Sequence, residues 1–208
     1  MTQINTQQQP SIQAHDEHIL VVARENIFIN NIHAWHGLQE VDFEHYIQII
    51  NDKKEFLPRS LMETDFQYKQ IIPYLIFTHE DKYFLMQRRA TASETRLANK
   101  LTLGIGGHIR QEDMTQTNSL FTWALREFHE EVHYEGNISV KPLGILNDDS
   151  NDVGKVHIGF VLLLQGDNAN ISIKSELKSG ALLSLSECLA QRDSMESWSQ
   201  FVIDFLGK

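Results

Sequence analysis

The sequence predicts an α/β protein, and three observations carry that prediction. Apolar runs of strand length recur along the chain, at residues 19–23, in the two runs of "IIPYLIFTHEDKYFLMQRR", and in "KVHIGFVLLL". Segments with apolar residues at helical spacing alternate with them. Between strand and helix signals lies a turn with three glycines, "LTLGIGGHIRQED", which runs toward a helix carrying three glutamates.

Residues 1–15 are polar, glutamine-rich and nearly free of large apolar side chains, so they bury too little surface to offset ordering. They are expected to be a flexible tail, leaving residues 16–208 as one domain. The run at 19–23 is short enough for a buried strand. In "DFEHYIQIIND", Phe43, Tyr46, Ile47 and Ile50 repeat at helical spacing behind Asp42, a suitable N-cap. Two apolar runs around "THED" read as a hairpin of strands at 71–77 and 82–88. Pro73 places the first of these at a strand end or a sheet edge, because proline cannot donate to a ladder.

After the polar stretch "ATASETRLANK", a short strand breaks into the glycine turn. Phe121, Ala124, Leu125, Phe128 and Val132 then form a helical stripe, with Asn118 or Ser119 as cap and Gly136 as stop. "ISVKPLGIL" and "KVHIGFVLLL" are strand-like, joined by the polar "NDDSNDVG". Trp198, Phe201, Val202, Phe205 and Leu206 restore the helical repeat at the end.

The formal net charge is −10, without a Lys/Arg cluster, which argues against a protein that grips duplex nucleic acid through its phosphates. An anionic ligand would need a bridging metal. The single cysteine, Cys188, excludes an intramolecular disulfide and a thiolate-rich zinc site. The start lacks a signal-peptide pattern, and no apolar run approaches the ~18 residues that span a bilayer. A soluble, cytoplasmic protein with no membrane partner is expected.

Glu127, Glu130 and Glu131 raise a question, since equal charges at helical spacing are mildly destabilising. At roughly 100° per residue, Glu127 and Glu131 lie about 40° apart and Glu130 about 60° to the other side, all clear of the apolar stripe. Three carboxylates on one flank make a hard oxygen surface suited to Mg²⁺ or Mn²⁺, and a bound cation would remove the repulsion. Taken alone such a cluster reads as a solvated face. Its coupling to "GIGGHIRQED" upstream is what points to a site.

Over residues 106–134 the chain resembles the Nudix hydrolase family, whose box reads G-x5-E-x7-R-E-U-x-E-E-x-G-U with U apolar. Gly107 takes the box glycine, Asp113 the first acid, Arg126 and Glu127 the R-E pair, Phe128 the apolar position, Glu130 and Glu131 the E-E pair, and Tyr134 the closing apolar one. Three features depart from it. Asp113 replaces a glutamate, with Glu112 as the alternative; twelve residues rather than seven separate Asp113 from Arg126; and His133 replaces the late glycine. Looser similarity to a branch of predicted phosphoesterases runs through "KQIIPYL", "VGKVHIGFVL" and "MESWSQF".

The resemblance implies an α/β/α sandwich with a mixed β-sheet and hydrolysis of a diphosphate linkage in a nucleoside diphosphate derivative or related small molecule. Mg²⁺ or Mn²⁺ would be held by Glu127, Glu131 and the carbonyl of Gly106, with Glu130 either a further ligand or the base for water. Arg126 would orient this set by pairing with the carboxylate at 127 or 113. Gly107, His108, Arg88 and Arg96 are the expected substrate contacts, although His108 reads at least equally as a hydrogen-bonded structural histidine and surface solubility also accounts for the arginines, including Arg89. Glu176 is an alternative base, ranked behind its reading as an exposed strand-end glutamate. His157, in an apolar strand, reads as a satisfied core histidine before a ligand contact. A homodimer is left open. Two other readings follow the hydrolase in rank. One is a non-catalytic module that binds a nucleotide-like ligand; the other is an isomerase of isopentenyl diphosphate, ranked last because Cys188 lies far from the box.

Overall fold

The computed structural model describes residues 16–28, 34–88, 100–115, 120–174 and 177–208. Strand β1 (His18–Ala23) runs into α1 (Arg24–Ile27); β2 (Gly37–Gln39), α2 (Phe43–Lys53), β3 (Glu55–Pro58) and α3 (Arg59–Met62) follow. The hairpin is β4 (Tyr68–His79) and β5 (Lys82–Arg88), and the glycine segment supplies β6 (Leu101–Thr102) and β7 (Gly104–Gly106). A 3₁₀ turn at Gln111–Thr115 precedes α4 (Leu120–Glu131) and β8 (Val132–Tyr134). Next come β9 (Ile138–Asn147), α5 (Asp152–Val156), β10 (His157–Gly166), β11 (Ile171–Ile173) and β12 (Leu177–Ser184). The last helices are α6 (Leu185–Leu189) and α7 (Ser197–Leu206). The expected tail and the cap residues Asn118 and Ser119 lie outside the described residues.

Among the described residues the main sheet has ten strands, six along the path β12-β5-β4-β10-β9-β2, with β1, β3, β6 and β7 paired off it. It is mixed: β4 and β10 run parallel, and the other pairs are antiparallel. Because strand side chains alternate between faces, β4 and β10 feed two cores. Ile71, Leu75, Phe77, Phe160 and Leu162 pack with Phe43 and Ile50 of α2 and with Trp123 and Phe128 of α4. Tyr74, Ile76 and Val161 pack on the other side with Cys188 of α6 and Val202 and Ile203 of α7. Helices therefore cover both faces, which is the expected α/β/α layering.

The amphipathic segment after Asp42 is α2, and the Asp42 carboxylate accepts the backbone N–H of His45 at 3.1 Å. Two expectations need correction. Pro73 is neither at a strand end nor at an edge; it lies buried within β4, in the middle of the sheet. On one side β4 pairs continuously with β10, but on the other β1 reaches only Gln70 and β7 begins at Tyr74. The carbonyl of Pro73 faces the β7 side, 3.1 Å from where a Cβ on Gly106 would sit. Its missing N–H thus falls in the break between the two ladders, where no bond is lost. The helix does not run to Gly136 either. It ends at Glu131, and Val132 and Tyr134 enter a strand paired with β11, burying both side chains on one face.

Candidate active site

The site is built where β7 leaves the sheet and α4 crosses it. Leu120, Trp123, Ala124 and Phe128 are the buried residues of α4, and the Phe128 ring stacks on Phe77 of β4 at 5.6 Å between centroids. That anchoring turns Glu127, Glu130 and Glu131 away from the core and into a cleft of about 550 Å³. Gly106, Gly107 and His108 line the same cleft. The turn packs closely on this flank: a Cβ on Gly107 would lie 2.5 Å from Oε1, the tip of the Glu127 side chain.

Burial disfavours the charged form of Glu127, and the neighbouring charges of Glu130 and Glu131 add to it, so its carboxyl is pushed up to about 7 against the opposing Arg126. Arg126 bridges two carboxylates. Its Nη1 donates to Oε1 of Glu130, and its Nη2 lies 2.9 Å from Oδ1 of Asp113 as an ion pair without hydrogen-bond geometry. Of the two expected partners, then, Asp113 is taken, and Glu130 stands in place of Glu127. Asp113 is turned inward, with 6% of its side chain exposed, whereas Glu112 is 64% exposed beside Arg110. Asp113 accepts the backbone N–H of Arg110 at 2.9 Å and the Trp123 indole N–H at 3.1 Å. Burial opposes its ionisation, but these donors and the Arg110 side chain outweigh that and hold it below the usual aspartate value.

His108 and His157 meet on the cleft wall, with their Nε2 atoms 3.2 Å apart. His157 is buried and hydrogen-bonded as the sequence suggests, its Nδ1 donating to the Val153 carbonyl at 2.7 Å, yet it also lines the cleft. Nε2 of His108 lies 2.6 Å from Oε1 of Gln70. Burial, then the nearby Arg59 and His157, depress His108 to about 3 and keep its ring neutral.

Two supporting networks escape sequence reasoning. Lys69 is fully buried, and its Nζ donates to Asp149 Oδ1 (2.9 Å), the Gly154 carbonyl (2.8 Å) and the His157 carbonyl (3.1 Å). It ties down the segment that carries Val153, Gly154 and His157 into the cleft. Burial lowers Lys69 to about 8; burial also opposes ionisation of Asp149, but Arg24 and Lys69 override it and bring Asp149 to about 2. Glu196, at the N-cap of α7, accepts the N–H groups of Trp198 (2.8 Å) and Ser199 (3.0 Å) and the Tyr74 hydroxyl. The available signal was polarity out of place: "KQ" opens an otherwise apolar strand, and "NDDSND" concentrates acids before another.

Arg96, Arg89 and Glu176 lie outside the described residues, and for Arg88 only the backbone, at the end of β5, is described. Cys188 is fully buried in the opposite core, its thiol pushed up to about 11 by burial, and it does not line the cleft. No described helix is long and apolar enough to cross a membrane.

No family model matches the chain. It is similar to Protein YmaB of Bacillus subtilis (strain 168), with 37% identity over 206 residues covering 92% of this chain and 98% of that protein. Among solved structures, that of Tm1382, a candidate Nudix hydrolase, matches with a TM-score of 0.77 at 28% identity, over 91% of this chain and 98% of the other. The Nudix domain of Shewanella oneidensis NrtR, solved in complex with ADP ribose, shares the fold with a TM-score of 0.53 at 15% identity, over 67% of this chain and 86% of the other.

Proposed function

The chain belongs to the Nudix superfamily, and from that premise we propose that it is a hydrolase cleaving a diphosphate linkage in a nucleoside diphosphate derivative or related small molecule. The observation that carries this reading is the convergence of Glu127, Glu130 and Glu131 on one cleft beneath the Gly106–Gly107 turn. A pure binder has no need of three adjacent carboxylates.

The donor set fits Mg²⁺ or Mn²⁺. It is all oxygen, and Glu127 carries an elevated pKa whose cost a cation would remove. Glu127, Glu131 and the Gly106 carbonyl would hold the ion, which when bound supplies neutralisation of the diphosphate charge and acidification of water. Glu130, exposed at the cleft and tethered by Arg126, takes the proton from the attacking water or completes the ligand set. Arg126 sets the spacing between Asp113 and Glu130, so that the helix flank and the turn before it hold one geometry. Gly107 lets the turn approach Glu127, and His108, neutral, lines the cleft without adding a charge. The carboxylate flank suits activation of water rather than of a protein nucleophile, so this reading has water attack phosphorus directly.

Turnover of a panel of nucleoside diphosphate derivatives, capped nucleotides and inositol or prenyl diphosphates, with Mg²⁺ or Mn²⁺, tests the reading. Glu130→Gln should lower turnover by about 10² or more if Glu130 is the base, and single turnover in ¹⁸O-water should label one phosphate product and no protein group. Tight binding of these compounds without cleavage under either metal would replace the hydrolase with a binding module.

A further inference from the structure

We propose that His108, His157 and Glu63 form a second metal site with its own donor set, one that takes a divalent transition ion of the Zn²⁺ class. The three come from separate parts of the chain. His108 follows the glycine turn, His157 opens β10, and Glu63 caps the end of α3. One ligand atom from each lies within 4.8 Å of the others.

The two rings are held by groups that a metal would not disturb or could replace. The Val153 carbonyl can only accept, so Nδ1 of His157 carries the proton and its Nε2 is an acceptor directed at His108. Donation from the far ring nitrogen to a carbonyl is how ligating histidines are commonly oriented. Gln70, in register with His157 across the parallel β4–β10 pair, donates its amide N–H to the Met62 carbonyl, which leaves its oxygen facing His108. Nε2 of His108 therefore carries the proton shared by Gln70 and His157.

The spacing suits a shared ion. Two imidazole nitrogens, each 2.0–2.1 Å from a tetrahedral centre, sit roughly 3.3 Å apart, and these are 3.2 Å apart. On binding, the His108 proton shifts from Nε2 to Nδ1, a change of tautomer that releases no proton from either ring. Glu63 now pairs with Arg59 at 3.2 Å, but both side chains are 39% exposed, and ion pairs of that kind contribute little. An ion can take the carboxylate from it.

Two imidazoles and one carboxylate suit Zn²⁺, Co²⁺ or Fe²⁺, whereas Mg²⁺ prefers oxygen alone. Three protein ligands leave a position open, and His108 and His157 both face the cleft that contains Glu127. A phosphate oxygen or water would fill it. This site does not depend on the hydrolase reading, because metal binding is measured without a substrate.

The test uses the full chain, stripped with chelator and titrated with Co²⁺ under millimolar Mg²⁺, which occupies the glutamate cluster. Visible absorbance of bound Co²⁺ should saturate at one equivalent and be displaced by Zn²⁺ but not by more Mg²⁺. His157→Gln should weaken binding by more than about 100-fold, beyond the ~10–100-fold lost when only an orienting partner is removed. Glu63→Gln, at an exposed position that leaves the fold intact, should weaken it by at least about 10-fold, and Glu127→Gln should leave it unchanged. No absorbance with Mg²⁺ present, equal Co²⁺ affinity in wild type and both ligand variants, or loss of the signal in Glu127→Gln would each overturn the proposal.

Discussion

Gly107 and Glu127 are in direct contact: a Cβ on the glycine would lie 2.5 Å from Oε1 of the glutamate. The obstructed atom is the tip of a flexible side chain, so Gly107→Ala should cost less than about 1 kcal/mol of stability, in the range of substitutions that disturb no core packing. The same shift moves a carboxylate proposed to hold the metal, and misplacement by about 1 Å costs on the order of 10² in rate. Melting curves and turnover on one preparation check both halves; a large melting loss with unchanged turnover would contradict the contact's proposed role.

Stability should respond to metal and pH together. Glu127 is raised from 4.5 to about 7 in the folded protein, so the metal-free fold binds a proton that the unfolded chain has released. Its stability should fall as pH rises from about 4.5 to about 7. Mg²⁺ or Mn²⁺ favours the ionised carboxylate, so a millimolar addition should raise the melting temperature most above pH 7. Glu127→Gln and Glu131→Gln should each remove most of that gain. A shift of equal size in wild type and both variants would put the ion elsewhere.

Asp113 and Glu112 should behave differently. Asp113→Asn loses the charge that accepts from Arg110 and Trp123 and opposes Arg126, and should cost roughly 1.5–3 kcal/mol, the range for hydrogen bonds to charged groups. Glu112→Gln, at an exposed position, should stay within about 0.5 kcal/mol. Because the folded-state pKa of Asp113 is depressed, its contribution is complete above its ordinary value of 3.8 and fades as pH drops below it. Denaturant titrations of both variants near neutral and acid pH measure the contrast.

Lys69 has no water to fall back on. Asp149→Asn removes its counter-charge and should destabilise by about 3 kcal/mol, the low end for a broken buried pair, since Asp149 is 31% exposed. Asp149 itself falls from 3.8 to about 2, so this share of stability is present above pH 3.8 and is lost as pH approaches 2. Lys69→Met with Asp149→Asn should recover part of the loss by removing the buried charge. Urea unfolding of the single and double variants gives the coupling directly.

The sequence alone determined the features that depend on local spacing. The α2 repeat behind Asp42, the hairpin around "THED", the strands on either side of "NDDSNDVG" and the carboxylate flank of α4 all follow from periodicity, since a helix or strand presents faces at fixed intervals whatever lies around it. Tertiary structure decided what depends on distant partners. Pro73 sits in the middle of the sheet because two ladders happen to break beside it. The helix stops at Glu131 because β11 offers Val132 and Tyr134 a strand to join. Asp113 rather than Glu112 turns inward because Trp123, ten residues away, supplies a donor. His108, His157 and Glu63 form a group, and Lys69 finds Asp149, only because β4 and β10 lie side by side. Periodicity is a property of one segment, whereas desolvation and hydrogen-bond satisfaction are properties of a packed neighbourhood, and those second terms decide which polar residues of this chain face the cleft.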